Sequence, residues 1–310
     1  MSFFSNPSLR FNQRIAAIFA GAFFVFCLLS ACTTTPKEIV APLLPPKPAK
    51  IAVVLGAGAS KGFAHIGVLK ILELNKIPVH MIVGTSVGSF VGSLYAYGYN
   101  PYELQTIAFA MQKDDIADYI IPDNGFIKGE KLENFVNNKV KYTTIDKLKI
   151  PFYAVATDIR TGEEIVFGRG NTGKAVRASC SIPGIFQPTV IGNKYYVDGG
   201  VISPIAIEVA RRYGADVVIA VDISASVSAA TPVGTIETIM QAIDIMYYKI
   251  SSFQVKNADV IIKPKVGYIG SSDFTKRHEA IMEGEKAAAE AMPAINQIIA
   301  RLRDAGRLPQ

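Results

Sequence analysis

The chain has 310 residues, half of them hydrophobic, with 32 basic and 26 acidic side chains for a formal net charge of +6. This length supports one large domain with a substantial core, or at most two small ones. The excess positive charge is modest and spread out, without the basic run of a nucleic-acid-binding arm, so we expect no nucleic-acid partner.

The first 31 residues are typical of a secretory signal. Arg10 and Arg14 form a basic start, an uncharged apolar run follows, and Leu29-Ser30-Ala31-Cys32 closes the segment. Small residues before a cysteine resemble the lipobox of bacterial lipoproteins, so residues 1–31 are predicted to be a lipoprotein signal peptide and Cys32 to be lipidated. The alternatives are an ordinary signal peptide and an anchor helix. A lipid on Cys32 would hold the protein at a membrane surface, because each buried methylene contributes about 0.8 kcal/mol.

Residues 32–50 form a predicted tether, because they hold five prolines and that density favours an extended linker. No aspartate follows Cys32, which favours sorting to the outer membrane. We therefore expect a protein of the bacterial cell envelope, lipid-anchored in the outer membrane and facing the periplasm. Beyond the tether the chain has one cysteine, Cys180, which is predicted to be a buried apolar side chain without a disulfide.

Short apolar runs alternate with helical patterns over residues 51–310. The predicted strands cover residues 51–55, 80–83, 152–156, 216–221 and 259–262. The predicted helices cover residues 63–74, 87–97, 201–213, 235–250 and 274–302. Strands without polar alternation are covered on both faces, and strands that alternate with helices form parallel sheets. We therefore predict one α/β domain with a mainly parallel central sheet.

The pentapeptide Gly84-Thr85-Ser86-Val87-Gly88 lies between the second predicted strand and the second predicted helix. It has the G-x-S-x-G pattern of a nucleophile elbow, a sharp strand-to-helix turn that exposes a serine. Side chains at Gly84 or Gly88 would collide with the neighbouring strand or helix. The following helix directs its N-terminal amides at any negative charge that develops near Ser86. The alternative is a tight turn with an incidental serine.

A nucleophilic serine needs a base, and the chain offers three histidines and one well-placed aspartate. His80 precedes the elbow on its strand, His65 falls in the first helix, and His278 lies in a charged stretch typical of a solvated surface. Asp198-Gly199-Gly200 follows an apolar run, so this carboxylate can approach another backbone closely. Burial would raise its pKa and make it a better base. The alternative for Asp198 is a plain turn.

A small-residue turn at 56–62, Gly-Ala-Gly-Ala-Ser-Lys-Gly, joins the first strand to the first helix. Turns of this kind cradle phosphates in nucleotide-binding proteins, but this one matches neither G-x-G-x-x-G nor the P-loop pattern. Its backbone amides can equally bind an oxyanion. The spacing alone leaves both functions open.

These segments together resemble, in the same order, the three signatures of patatin-like phospholipases: the turn at 56–62 with residues 63–69, the elbow, and Asp198-Gly199-Gly200. Blocks at 156–158, 177–184 and 214–222 also resemble that family. The resemblance covers residues 51–222 and is strongest to the bacterial branch related to neuropathy target esterase. It implies a three-layer α/β/α, patatin-like hydrolase domain over residues 51–310.

The resemblance further implies a Ser–Asp dyad, with Ser86 as nucleophile and Asp198 as its activating partner. It implies an oxyanion hole in the turn at 56–62, with Gly58 and its neighbours as donors. The candidate oxyanion residues are Gly56, Gly58, Ala59, Lys61 and Gly62. Ala57 and Ala59 stand where the family often has glycine. Lys61 stands where the family has Arg or Lys, either to fix the loop or to favour an anionic headgroup.

The sequence is therefore interpreted as a lipid acyl hydrolase that forms an acyl-enzyme on Ser86. Its expected partners are a phospholipid or other lipid ester substrate and, through Cys32, a membrane surface. No paired His or Cys at ligand spacing and no calcium loop is present in the sequence, so we expect no metal and no cofactor. Two alternatives remain: a non-phospholipid esterase, thioesterase or transacylase, and a catalytically silent envelope lipoprotein.

Overall fold

A computed structural model describes residues 46–224 and 231–309. The predicted signal peptide, the predicted lipidation site Cys32 and the tether up to residue 45 lie outside the described residues. The last part of the predicted tether contacts the domain: Ala49 is buried and its amide donates to the carbonyl of Arg307 at 2.8 Å. Within the described ranges, no helix combines the length and the apolar character that a membrane span requires.

One eight-stranded sheet organises the domain. Its strands are β1 (Ile51–Leu55), β2 (Met81–Thr85), β3 (Phe152–Asp158), β4 (Glu164–Phe167), β5 (Thr189–Ile191), β6 (Lys194–Asp198), β7 (Val217–Val221) and β8 (Val260–Ile262). The hydrogen-bonded pairs follow the path β5-β6-β3-β2-β1-β7-β8, and β4 also pairs with β3. The pairs among β1, β2, β3, β7 and β8 are parallel, whereas β4, β5 and β6 pair antiparallel. The predicted α/β fold with a mainly parallel sheet is confirmed.

Helices cover both faces of the sheet. They are α1 (Phe63–Leu74), α2 (Val87–Tyr97), α3 (Pro101–Ala110), α4 (Lys113–Ile116), α5 (Glu130–Lys139), α6 (Thr172–Ser179), α7 (Ile207–Arg212), α8 (Thr235–Gln254) and α9 (Arg277–Asp304). Alternate residues of β1 enter different cores: Ile51, Val53 and Leu55 pack with α1, α2 and α9, while Ala52 and Val54 pack with α7. Burial on both faces explains why β1 has no polar alternation.

The predicted helix over residues 201–213 is wrong in its first half. A short 3-10 helix, Gly199–Val201, follows β6, and α7 begins only at Ile207. Pro204 explains the interruption, because proline disfavours helical geometry in the residue before it and has no amide to donate. The prediction that Cys180 is buried is confirmed.

Strands β2 and β6 meet end to end along one edge of β3. Thr85 of β2 pairs with Val155, and Asp198 of β6 pairs with the next residue of β3, Ala156. The opposite edge of β3 is occupied there by β4. Because β2 runs parallel to β3 and β6 runs antiparallel, the two carboxyl-terminal ends point at each other. This register brings the residue after Thr85 next to Asp198.

Candidate active site

Ser86 lies at the predicted turn, between the end of β2 and the first residue of α2. Its backbone angles, φ 55° and ψ −128°, are in a region that non-glycine residues rarely adopt. The amide of Ser86 donates to the Oγ of Ser179 at 2.9 Å, and that hydroxyl donates to the carbonyl of Val155 at 2.5 Å. The bonds through Ser179 therefore hold the strained turn against β3.

The glycines of the elbow allow backbone contacts that a side chain would block. A Cβ atom placed on Gly84 would lie 2.5 Å from the carbonyl oxygen of Gly88. A Cβ placed on Gly88 would lie 2.0 Å from the carbonyl oxygen of Leu55, at the end of β1. The closeness of β1, β2 and α2 at this point therefore requires both glycines.

Ser86 and Asp198 contact each other directly. The Oγ of Ser86 donates to Oδ2 of Asp198 at 2.5 Å, and the amide of Gly200 donates to the other carboxylate oxygen at 2.7 Å. Both side chains are buried, Asp198 completely and Ser86 with 3 % of its surface exposed. The serine hydroxyl thus has an acceptor, and the carboxylate is fixed in orientation by a backbone donor.

Burial raises the pKa of Asp198 from its usual value of 3.8 to about 6. Hydrogen bonds from Ser86 and Gly200, and the nearby hydroxyl of Tyr247, oppose that rise because they favour the anion. The Tyr247 hydroxyl approaches the carboxylate but makes no hydrogen bond of normal geometry with the described residues. At neutral pH the carboxylate is therefore largely ionised, and it is a stronger base than an exposed aspartate.

The turn at 56–62 lies beside Ser86, and most of its amides already have acceptors. The amide of Gly56 donates to Val221 at 3.1 Å and that of Ala57 to Pro204 at 2.9 Å. Farther along the turn, the amide of Ser60 donates to Ser271 at 3.2 Å and that of Lys61 to Gly58 at 3.1 Å.

Of the predicted oxyanion residues, Gly58 and Ala59 have amides without a backbone acceptor in the described part of the chain. Ala59 has φ 50°, in the left-handed region that glycine occupies more easily. An alanine thus stands at a backbone position that glycine would occupy with less strain. A Cβ on Gly62 would lie 2.2 Å from a methyl of Val87, so Gly62 allows the turn to pack on α2.

Lys61 fixes this turn to its surroundings. Its side chain is 2 % exposed, and its Nζ donates to Oδ2 of Asp244 on α8 at 2.9 Å and to Oγ of Ser271 at 3.1 Å. Ser271 in turn donates to the same oxygen of Asp244 at 2.8 Å. Of the two predicted roles of Lys61, the geometry matches the one that fixes the loop.

None of the three histidines hydrogen-bonds Ser86. The Nε2 of His65 is 2.9 Å from the carbonyl oxygen of Gly56, and burial lowers the pKa of this imidazole to about 4. His80 accepts the amide of Ile51 at 3.1 Å, at the amino-terminal end of the sheet. The ring of His278 lies near that of Phe109, tilted by 39° with ring centroids 6.4 Å apart. The carboxylate of Asp198 is the base candidate that the structure brings to Ser86.

Ser86 opens into an apolar cavity of about 600 Å³. One wall comes from α2 and α3, with Phe90, Leu94 and Leu104 among its side chains. The facing wall includes Ile182 and Met240. The volume is that of a small-molecule site, and the lining suits a hydrocarbon chain better than a charged group.

Sequence reasoning missed two residues of this site. Ser179 lies in the block at 177–184, where a serine next to a cysteine could have been examined as a partner for the elbow. Tyr247 lies on α8, distant in sequence from every motif, and no local pattern distinguishes it from an ordinary apolar residue of a helix.

The fold and this site together define an α/β protein with an elbow serine hydrogen-bonded to an aspartate. A family model described as patatin-like phospholipase matches residues 53–211. The chain belongs to the patatin-like phospholipase family. The matched range contains Ser86, Asp198 and the turn at 56–62.

Curated relatives include NTE family proteins and lysophospholipases. The uncharacterized NTE family protein Rv1063c of Mycobacterium tuberculosis is 33 % identical over 180 residues, covering 57 % of this chain and 50 % of the relative. Lysophospholipase NTE1 of Debaryomyces hansenii is 31 % identical over 195 residues, covering 61 % of this chain and 13 % of the relative. The match therefore spans half of the mycobacterial relative and a small part of the yeast one.

Among solved structures, VipD from Legionella pneumophila has a similar fold. The TM-score is 0.58 with 12 % sequence identity, and the match covers 81 % of this chain and 67 % of that chain. At this identity the likeness supports the fold alone.

Proposed function

We propose that this chain is a lipid acyl hydrolase with a Ser86–Asp198 dyad. The observation that carries the proposal is the 2.5 Å hydrogen bond from the Ser86 Oγ to Asp198 Oδ2 at an apolar cavity. The family and the lysophospholipase among the relatives support a lipid ester, such as a phospholipid or lysophospholipid, as substrate.

In the first half-reaction, the Oγ of Ser86 attacks the ester carbonyl carbon while its proton moves to Asp198 Oδ2. The tetrahedral intermediate collapses, the bond to the alcohol breaks, and the leaving oxygen takes the proton from Asp198. In the second half-reaction, Asp198 takes a proton from water, whose oxygen attacks the acyl-enzyme. Collapse of this second intermediate releases the fatty acid and returns the proton to Ser86.

The negative oxygen of each intermediate needs donors that are already in place. The amides of Gly58 and Ala59 are the proposed donors, because they have no backbone acceptor among the described residues, whereas neighbouring amides of the turn already have acceptors. The N-terminus of α2, which begins directly after Ser86, adds a favourable field. Lys61 acts indirectly, since its ammonium is bonded to Asp244 and Ser271 and holds the turn in position.

The decisive experiment combines a fluorophosphonate probe with lipid analysis of the products. The wild type is expected to react with the probe and to release fatty acid from phospholipid or lysophospholipid vesicles, whereas Ser86→Ala does neither. Ser93→Ala is the matched control, because Ser93 is a buried serine on α2 whose hydroxyl donates to the carbonyl of Phe90 in the same helix. Absence of probe labelling in the folded wild type would contradict the proposal.

The same assays test the base. Asp198→Asn is expected to lower kcat by about 10²–10⁴, the usual contribution of general acid–base catalysis. The wild-type rate is expected to fall as the pH drops through about 6, because protonated Asp198 cannot accept the serine proton. His278→Ala is the control for a histidine base and should keep the wild-type rate. A large loss in that variant would favour a triad instead.

We also propose that lipidation of Cys32 keeps the domain at a membrane that contains its substrate. The support is the sequence pattern at residues 29–32. Cys32→Ala is expected to move the protein from the membrane fraction to the soluble fraction and to abolish incorporation of labelled palmitate. Membrane association that persists without Cys32 would contradict this anchor and leave the dyad unaffected.

A further inference from the structure

Helix α8 places one tyrosine directly against the Asp198-Gly199-Gly200 segment. A Cβ atom on Gly200 would lie 2.2 Å from Cζ of Tyr247 and 2.6 Å from its hydroxyl oxygen. The tyrosine ring therefore occupies the space that a side chain at position 200 would need. Gly200 is also the residue whose amide bonds the Asp198 carboxylate, so the phenol lies beside that carboxylate.

The environment of the Tyr247 ring is apolar. The residue is 4 % exposed, and its side chain packs with Ala57, Ile182 and Ile243. Its hydroxyl is buried and has no hydrogen-bond partner in the described part of the chain. A phenylalanine would fill the same space without leaving a polar atom unsatisfied. A buried hydroxyl at this position therefore points to a partner in another state of the site.

The Asp198 carboxylate changes its hydrogen bonds during the proposed reaction. With free Ser86, Oδ2 accepts the serine hydroxyl and Oδ1 accepts the amide of Gly200. Once Ser86 is acylated, its Oγ carries no proton and cannot donate. One oxygen of a fully buried carboxylate then loses its donor, in the state in which Asp198 must take a proton from water.

We propose that Tyr247 is a positioning residue whose hydroxyl donates to the Asp198 carboxylate in the acyl-enzyme and so keeps it aligned for deacylation. The donor is next to the carboxylate, buried, and without another partner. This inference rests on the proposed function, because it gives Tyr247 a role only if an acyl-enzyme forms.

The charged and titratable groups around Tyr247 keep its hydroxyl protonated. Burial and the neighbouring charge of Asp198 raise its pKa well above the usual value, and Cys180 and Asp244 act in the same direction. Asp244 is paired with Lys61, and burial raises the pKa of the Cys180 thiol, which therefore stays neutral. Tyr247 can consequently donate throughout the pH range in which the enzyme would work.

Tyr247→Phe removes the hydroxyl alone, and Tyr248→Phe on the same helix is the matched control. With a p-nitrophenyl ester, we expect kcat of Tyr247→Phe to fall about tenfold, roughly the effect of one hydrogen bond to a charged group. KM should not rise, because the slow step becomes deacylation and the acyl-enzyme accumulates as a burst. The acidic limb of the kcat profile should move to higher pH, because the anion of Asp198 has lost a donor.

The first-order rate of fluorophosphonate labelling should fall much less, since Ser86 is not yet acylated in that step. A folded Tyr247→Phe protein with wild-type kcat and pH profile would overturn the inference. So would equal losses in labelling and turnover without a pH shift, because that pattern indicates a packing role only. Failure of the proposed function itself is separate: it would appear as full turnover by Ser86→Ala.

Discussion

The two halves of the candidate active site are held by different kinds of interaction. On the serine side the main chain sets the geometry: Ser86 has a strained backbone, and Gly84 and Gly88 allow β1, β2 and α2 to touch. On the aspartate side, hydrogen bonds and burial set both the orientation and the pKa of Asp198. The serine side should therefore be sensitive to added atoms, and the aspartate side to changed charge.

The largest expected effect is a loss of stability on the serine side. The added methyl of Gly88→Ala would meet the backbone of Leu55 at 2.0 Å, and neither strand nor helix can retreat easily. We expect unfolding to become easier by more than about 3 kcal/mol, at or above the upper end for overpacking, with loss of probe labelling. Urea or thermal unfolding measures the effect.

Gly270→Ala is the control for that substitution. Its Cβ would have Asp273 at 3.8 Å as nearest neighbour, which is an ordinary contact distance. Its unfolding midpoint should stay near that of the wild type. Equal unfolding midpoints for Gly88→Ala and wild type would show that the elbow can relax. The serine side would then not be especially sensitive to added atoms.

Removing the charge on the aspartate side should increase stability, whereas Gly88→Ala should reduce it. The folded pKa of Asp198 is about 6 and the usual value 3.8, so the folded state binds this proton more tightly than the unfolded chain. The stability that the protonated Asp198 carboxyl adds to the fold is fully present below pH 3.8 and is lost as the pH rises through about 6. Asp198→Asn avoids the buried charge and should be more stable at pH 7.5, by up to about 3 kcal/mol.

Unfolding of the wild type and Asp198→Asn at pH 4 and pH 7.5 checks this sign. The difference between the two proteins should be small at pH 4, where Asp198 is protonated in the folded state, and larger at pH 7.5. A variant that is less stable than wild type at pH 7.5 would show that the hydrogen bonds of the carboxylate outweigh its desolvation.

The contact between the oxyanion turn and α8 should give an intermediate effect. Lys61→Met leaves Asp244 without its cation, and the expected loss is about 2 kcal/mol, below the usual cost for a fully buried pair because the Asp244 side chain is 21 % exposed. Adding Asp244→Leu should recover most of the loss. Lys276→Met, at an exposed ion pair with Glu279, is the control. No recovery in the double variant would argue against the ion pair as the cause.

The smallest effect is expected at the edge of the antiparallel part of the sheet. Arg212 bonds Glu164 at 2.5 Å, but its side chain is 58 % exposed. Arg212→Ala should cost less than about 1 kcal/mol and leave turnover unchanged, because solvent weakens such pairs. A larger loss of stability, or a loss of turnover, would show that this ion pair at the antiparallel strands also helps to position Asp198.

The sequence predicted those parts of the fold and site that depend on local patterns. The residues of β1, α1 and α2 form local patterns, and the structure places these elements where the patterns predict them. The elbow was recognisable because its glycines and serine are consecutive. Asp198 stands out in the sequence because two glycines follow it directly after an apolar run.

The parts that were not predicted depend on contacts between distant segments. Strands β4 and β5 are short and partly exposed, and they are strands because they pair with β3 and β6. Tyr247 enters the site only through the packing of α8 on Gly200. The interruption before α7 had a local signal, Pro204, which the helical pattern around it concealed.

The end-to-end meeting of β2 and β6 on β3 has a consequence for how such sequences can diverge. The distance between nucleophile and base is set by strand pairing with two consecutive residues of β3, Val155 and Ala156. The loops on either side of α6 can therefore lengthen or shorten during evolution without moving the reacting atoms, as long as Ser179 of α6 keeps its bond to the amide of Ser86. A one-residue insertion within β3 has no such freedom, since it would turn alternate side chains to the opposite face of the sheet.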